Sequence, residues 1–375
     1  MCEDNKTKPK TTLPFLKKIS FYQYKNYLQQ SFSFSKPINC IYGANGVGKT
    51  NILDAIYYLG FTKSYFAKKD SAMVMHNKQG MYVEGIFDWA EGQSSAIKII
   101  IRENGKKELS ENGEDIKQLQ QHIGRIPCIM ISPDDTVLIT EGSEYRRKFI
   151  DGILCQIDTT YFSHLIAYNK VLAQRNALLK AWQEPNGQQW DLLAYYNQLL
   201  CQHAAYISPK RVAMLAQFIP MVCALYKEIS KEQQEIVIHL DSKLVSNNLE
   251  DLFKQTIQKD IATKRTSCGI HRDDLLLGMS PQESFKDFAS QGQRKTLLFA
   301  LKIAQYQYMK QQLGITPILL LDDVFEKLDA NRSIHLLNLI TQENCQTFIT
   351  DTHLDRLEKA FAGWEEKVDF LEIGS

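Results

Sequence analysis

Gly43-Ala44-Asn45-Gly46-Val47-Gly48-Lys49-Thr50 fits the spacing G-x-x-x-x-G-K-S/T. Residues of these types at this spacing hold phosphate. The glycines let backbone N–H groups turn inward around phosphate oxygens, the lysine reaches the β- and γ-phosphates, and the hydroxyl ligates Mg²⁺. Gly43, Asn45, Gly46, Gly48, Lys49, Thr50 and the following Asn51 are therefore the expected nucleotide contacts, with Thr50 on the metal. Far along the chain, the apolar run 318–321 ends in a carboxylate pair, Asp322-Asp323. Asp322 is expected to hold the Mg²⁺ shell and Asp323 to orient or polarise an attacking water, since phosphoryl transfer is mainly positioning plus charge stabilisation. Two acids at a strand end also occur as a solvated turn, and the phosphate loop upstream is what favours the chemical reading. A third stretch, Ser290-Gln291-Gly292-Gln293, is a small polar turn feeding straight into a helix. Ser290, Gly292 and Gln293 there form a second anion-binding geometry, for which a phosphate-loop kinase or GTPase has no use. The plain alternative is a serine N-cap on a surface helix.

These groups need elements to hold them. Residues 37–42 read as a short buried strand and 51–59 as a helix, so the glycine loop has the strand–loop–helix setting that the motif requires. Residues 14–35 read as a β-hairpin, and 81–88 and 96–102 as strands of an antiparallel sheet, followed by the turn 103–106. Residues 126–133 are a further short strand. From 134 to about 264 the pattern turns helical, with stretches at 161–182, 190–208 and 211–235 divided at Pro185-Asn186-Gly187 and at Ser208-Pro209. The absence of sustained heptads argues for a compact lobe or short arm over a long coiled coil. A strand at 236–240 and a helix at 249–263 close this region. Strand patterns at 275–277, 316–321, 347–350 and 366–373, with a strong helix at 296–309, restore α/β character. The continuous apolar run 316–321 is that of a strand buried on both faces of a parallel sheet.

The 375 residues suffice for about two domains, and their 44% hydrophobic and 23% charged content is ordinary for a globular chain. With a formal net charge of +1, nucleic-acid binding must come from a local patch and not from a bulk field. Lys63, Lys68 and Lys69, interleaved with Tyr65 and Phe66, are one such patch, and a merely solvated loop is the equal alternative. The aromatics of the hairpin line an adenine pocket or, on the favoured reading, pack a half-buried sheet. The eight cysteines show neither a C-x-x-C pair nor zinc spacing and read as reduced thiols. Residues 1–12 are a polar tail without the apolar core of a signal peptide. The apolar runs, divided by these punctuating residues, read as falling short of the roughly 20 residues that span a membrane. A cytoplasmic location is expected.

Taken together, Tyr24-Lys25-Asn26-Tyr27, the stretch 43–51, the stretch 144–151 (Glu144-Tyr145-Arg146-Arg147-Lys148-Phe149-Ile150-Asp151), Gly269-Ile270-His271-Arg272-Asp273-Asp274, Ala289 to Gln293 and the stretch 321–329 occur in a specific order. In that combination the chain resembles the RecF family of bacterial ATPases, relatives of the SMC proteins, from about residue 13 to 352. The resemblance implies an α/β fold. It is an ABC-type ATPase head, a phosphate-loop parallel sheet plus an antiparallel β subdomain, made from 13–134 and 265–375, with an inserted helical lobe at 135–264. It further implies ATP and Mg²⁺ as cofactors and an ATP-dependent homodimer, in which Ser290, Gly292 and Gln293 contact ATP held by the partner and Leu328-Asp329 lies along the seam. A weak ATPase acting as a clamp on DNA, single-stranded and gapped or duplex junctions, follows from the same likeness, with RecO- and RecR-like partners in loading RecA. Lys63, Lys68, Lys69, Arg146, Arg147 and Lys148 are its candidate DNA contacts. For Arg146 and Arg147 the competing reading is pairing within the chain, to acids such as Glu144 and Asp151. Thr350 and His353 are alternatives for the switch residue, and Ser132-Pro133-Asp134-Asp135 stands where a Q-loop belongs without supplying a glutamine. The alternative function is the nucleotide-binding subunit of an ABC transporter, against which the long interval between Gly43 and Ser290 argues.

Overall fold

The computed structural model describes residues 14–89, 92–182, 187–230, 235–327, 330–342 and 345–374. They form two compact units. The described residues up to Asp135, with those from Gln305 onward, make the first, and Thr136–Ala304 make the second.

In the first unit β1 (Phe15–Tyr24) and β2 (Tyr27–Ser33) pair antiparallel about a tip at Lys25-Asn26. With β4 (Met81–Asp88), β5 (Ser94–Ile101), β6 (Lys107–Glu111) and β7 (Glu114–Asp115) they make a six-stranded antiparallel sheet, order β2-β1-β4-β5-β6-β7. Every second residue of β4 and β5 is buried, the period of a strand with one face on a core. The sequence pattern gives no strand signal beyond the turn before β6 and β7, which are short and mostly polar.

The second sheet of this unit is parallel: β3 (Ile38–Tyr42), β8 (Cys128–Ile131), β11 (Ile318–Leu321), β12 (Thr347–Asp351) and β13 (Val368–Glu372), order β13-β3-β12-β11-β8. Its strands β11 and β12 are buried along their whole length; for β11 that is what an apolar run without alternation requires, whereas β12 also buries Thr347, Thr350 and Asp351. Helix α1 (Lys49–Phe61) packs against strands of both sheets. Its Ile52, Leu53, Ile56, Tyr58 and Leu59 share one core with Phe21, Val83 and Phe87 on one side and Met130, Leu320 and Phe348 on the other. Two glycines allow the close approach. A Cβ on Gly60 would stand 2.8 Å from the Ile126 carbonyl oxygen, and one on Gly85 would stand 2.6 Å from Leu59 Cδ1.

In the second unit α2 (Val137–Thr140) and α3 (Ser143–Ile157) precede two long helices, α4 (Thr159–Lys180) and α5 (Gly187–Ser230). Contacts of His164 with His203 and of Arg175 with Asn197 run in opposite senses along the two, so they pack antiparallel. The break expected at Ser208-Pro209 does not occur, because α5 runs through both Pro209 and Pro220. An internal proline costs about 3 kcal/mol. Burial of Ile207, Arg211, Met214, Leu215 and Phe218 around it outweighs that penalty. As one helix of 44 residues, α5 is by length and composition apolar enough to cross a membrane, which division at Pro209 conceals in the sequence. It nevertheless carries Arg211 in buried ion pairs with Asp151 and Asp273.

The unit continues with β9 (Val237–Asp241), α6 (Leu249–Thr263), β10 (Asp274–Gly278), α7 (Phe285–Phe288) and α8 (Gln291–Leu313), in which the chain passes into the first unit. The second unit therefore extends to Ala304, past the return read at 265. The cause is that β10 pairs with β9 and the segment before β10 is bonded to the long helices. Arg211 donates to Asp273 and to the Ile270 carbonyl, Arg146 grips Asp274 with two nitrogens, and Tyr168 donates to His271 Nδ1. Burial pushes His271 down to about 4, so it is neutral, and its Nε2 faces the Thr266 carbonyl at 3.2 Å, to which it can only donate, leaving Nδ1 to accept from Tyr168. The stretch Gly269–Asp274 is thus a staple for the helices. The chain completes its first unit with α9 (Val324–Lys327), α10 (Ala330–Gln342) and α11 (Leu354–Ala360).

Candidate functional site

β3 and β11 are separated in the parallel sheet by β12 alone, so the ends of all three strands lie side by side. β3 leads into the glycine loop and β11 into Asp322-Asp323, and β12 ends on Asp351. Thr50, at the start of α1, donates its hydroxyl to Asp322 Oδ1 at 2.7 Å. Thr350 donates to the same oxygen at 2.9 Å and accepts the Asp323 N–H at 3.0 Å. The Asp322 N–H is itself bonded to the Ile131 carbonyl of β8. Burial raises the pKa of Asp322, while the Thr50 and Thr350 hydroxyls and the Lys49 charge act to lower it. Asp323 sits in the left-handed region at φ 46°, a backbone strain that marks a held position.

The glycine loop is braced from two directions. Lys49, almost wholly buried, donates to the Gly43 and Ala44 carbonyls at 2.8 and 2.9 Å. Asn26, from the β1–β2 tip, donates to the Val47 carbonyl at 2.7 Å and accepts from Asn51 Nδ2 at 2.7 Å, while Tyr27 donates to the Gly48 carbonyl. Gly48 has φ 114°, and a Cβ there would lie 2.5 Å from Asn26 Nδ2; only glycine allows this brace. Asn45 and Gly46 form the exposed crown of the loop. The role of Asn26 is not legible as chemistry in the sequence, although Tyr24-Lys25-Asn26-Tyr27 stands out there as a motif. The hairpin rings pack on one another, Phe21 with Tyr24 at 5.2 Å and with Tyr27 at 5.1 Å, so they belong to the sheet core and not to a base pocket.

Thr350 meets Asp322, whereas His353 is exposed at the head of α11. In the stretch 132–135, Asp135 is buried and accepts from the Ser132 N–H and from the Tyr65 hydroxyl, while Asp134 is exposed. Leu328-Asp329, expected along a seam, lies outside the described residues. Lys63, Lys68 and Lys69 are exposed, while the intervening Tyr65 and Phe66 are partly buried and pack against the core.

In the second unit Ser290 is the N-cap of α8. Its hydroxyl accepts the Gln293 N–H at 3.2 Å, and Gln293 Oε1 accepts the Ser290 N–H at 2.9 Å, a reciprocal capping box. Ser290, Gln291 and Gly292 remain exposed. Arg146 is taken up by Asp274 at 2.7 and 2.9 Å and by the Glu141 and Leu138 carbonyls, so the pairing within the chain is the reading seen, with a partner other than Glu144 or Asp151. Arg147 donates to the Asp273 carbonyl at 2.6 Å, and burial lowers its pKa. Lys148 stays exposed, in an i,i+4 pair with Glu144.

Among the described residues no group of three or more His, Cys, Asp or Glu is gathered for a metal ion. The family model for the RecF/RecN/SMC N terminal domain matches residues 15–366. The DNA replication and repair protein RecF of Flavobacterium johnsoniae is 40% identical to this chain, over 92% of it and 95% of the relative. That of Bacteroides fragilis is 38% identical, over 91% and 92%. A solved structure of the recombination mediator protein RecF-ATP in the RecFOR pathway superposes with a TM-score of 0.83 at 30% identity, covering 92% of this chain and 94% of that one. An Smc head domain from Pyrococcus furiosus, at 16% identity and a TM-score of 0.52 over 93% of this chain and 92% of that one, shares the fold.

Proposed function

The chain belongs to the RecF family within the RecF/RecN/SMC group, and from that premise we propose that it is an ATP-dependent DNA clamp of recombinational gap repair. ATP bound at Gly43–Thr50 of one copy is completed by the Ser290 turn of a second copy, and the closed dimer holds DNA. RecO- and RecR-like proteins then use it in loading RecA at single-stranded gaps, and slow ATP hydrolysis reopens it. The observation that carries the nucleotide half of this reading is the convergence of the Thr50 and Thr350 hydroxyls on Asp322 beside the glycine loop. The DNA half is supported by the relatives, which are DNA replication and repair proteins. This kinship does not favour the transporter-subunit alternative.

The donor set fits Mg²⁺, since Thr50 Oγ1 and Asp322 Oδ1 are hard oxygens 2.7 Å apart, within reach of one small ion that takes its remaining ligands from phosphate and water. Thr50 and Asp322 would hold it, and bound there it supplies charge neutralisation on the phosphate oxygens. Lys49 and the loop N–H groups bind and orient the phosphates, Thr350 holds Asp322 and the Asp323 backbone, and Asp323 orients the attacking water. In sedimentation at saturating ATP–Mg²⁺ the chain should shift from monomer to dimer and the Lys49→Ala variant should not. A wild-type chain that stays monomeric under those conditions sinks the clamp.

A further inference from the structure

Asp54 lies in the middle of α1, and its side chain is fully buried. A buried carboxylate is costly unless its oxygens are paired. Here Oδ2 accepts from Lys25 Nζ at 2.5 Å and from Ser64 Oγ at 2.7 Å, and Oδ1 accepts from the Tyr65 N–H at 2.7 Å. Ser64 Oγ in turn accepts from the Phe66 and Ala67 N–H groups at 3.2 and 2.8 Å. Lys25, held at φ 47°, comes from the same hairpin tip that supplies Asn26 to the glycine loop. The Tyr65 ring packs edge-on to Tyr57 of α1 with centroids 5.0 Å apart, and its hydroxyl donates to Asp135. The backbone after α1 is therefore bonded to one carboxylate, its aromatics turn inward, and Lys63, Lys68 and Lys69 are left outward.

We propose that Asp54 is a positioning residue that presents Lys63, Lys68 and Lys69 as one face for DNA phosphates and fixes that face to the helix carrying Lys49 and Thr50. The inference rests on the reading that this loop meets DNA. Its sign separates it from simple electrostatics. Removing a negative charge close to a polyanion's binding face strengthens attraction, yet loss of the carboxylate here lets the lysines scatter.

The test is equilibrium binding of a gapped duplex to the full chain as a function of salt, with ATP affinity measured in parallel. Asp54→Asn should bind DNA about threefold to tenfold more weakly, and its slope of log affinity against log salt should be shallower by about one, as expected when one fewer phosphate is neutralised. ATP affinity should stay within about threefold, because each decade would need about 1.4 kcal/mol at the phosphate loop. Ser64→Ala leaves all charges in place and should move both readings the same way by a smaller amount, so it decides the matter where Asp54→Asn does not fold. The triple variant Lys63→Ala, Lys68→Ala, Lys69→Ala locates the fault. If the triple variant binds more weakly while Asp54→Asn or Ser64→Ala keeps the wild-type affinity and slope, the role of Asp54 is overturned. If the triple variant binds as the wild type does, the DNA reading of the loop fails and the inference with it.

Discussion

Asp322 Oδ1 accepts from two hydroxyls, of which Thr50 belongs to the glycine loop and Thr350 to the neighbouring strand end. Thr350 also accepts the Asp323 N–H, so one side chain holds the Asp322 carboxylate and the Asp323 backbone. Thr350→Val keeps the shape of a fully buried residue and removes both bonds. A polar group left unpaired by such a change costs about 1–3 kcal/mol, and if that cost falls on the hydrolytic arrangement it corresponds to about tenfold or more in rate. Single-turnover hydrolysis should fall accordingly in Thr350→Val, with ATP affinity nearly unchanged, and Thr350→Ser should recover most of it. Equal reductions in affinity and rate would show that Thr350 supports the phosphate loop and not the carboxylates. At this scale the glycine loop is legible in the sequence because it is one contiguous stretch of chain, and Asp322 because that loop upstream favours the chemical reading of an acid pair at a strand end. Asp54 is not, since Ile52 to Leu59 reads as an ordinary core-facing helix and its donors arrive from 29, 10 and 11 residues away.

Helix α1 carries the site at its first turn and is wedged at its last. A Cβ at Gly60 would lie 2.8 Å from the Ile126 carbonyl oxygen and 3.1 Å from Cys128 Sγ. The obstacle is partly backbone, so Gly60→Ala must displace the helix or the strand entry, at about 1–3 kcal/mol for overpacking. Urea unfolding should register that destabilisation. Gly152→Ala in α3, where an added Cβ meets nothing within 4 Å, should gain about 0.4–1 kcal/mol from the unfolded chain's reduced freedom. A Gly60→Ala variant as stable as the wild type would mean that the helix end is looser than its packing indicates. The elements themselves are readable where period and punctuation agree, as in β3, α1, β4, β5 and β11. They are misread where tertiary contacts override a local signal, as at Pro209, where a helix pinned by Arg211 to both Asp151 and Asp273 runs on through the break. The stretch Gly269–Asp274 is visible as a pattern but silent as to purpose, because its partners Arg146, Tyr168 and Arg211 come from three different helices.

For the whole molecule the open quantity is assembly, and it turns on Ser290. Its N-cap role within one chain is filled by Gln293, and that local bond is what a serine before a surface helix ordinarily makes. The proposed second role, contact with ATP held by another copy, asks that the exposed Ser290–Gly292 face admit a phosphate. The two roles separate by substitution. Ser290→Gly sacrifices the hydroxyl but keeps a tolerated N-cap, costing only a few tenths of a kcal/mol, and leaves the turn small. Ser290→Arg places a long side chain across the exposed turn. Both variants should bind ATP as monomers with wild-type affinity, because Lys49 and Thr50 lie elsewhere in the chain. In sedimentation with ATP–Mg²⁺, Ser290→Gly should still dimerise, if more weakly, and Ser290→Arg should remain monomeric. Dimerisation of Ser290→Arg at wild-type strength would remove the trans role from this turn and leave Ser290 as a helix cap alone. Loss of ATP binding in Ser290→Arg would instead place the turn in its own chain's nucleotide site, which contradicts the two-copy arrangement.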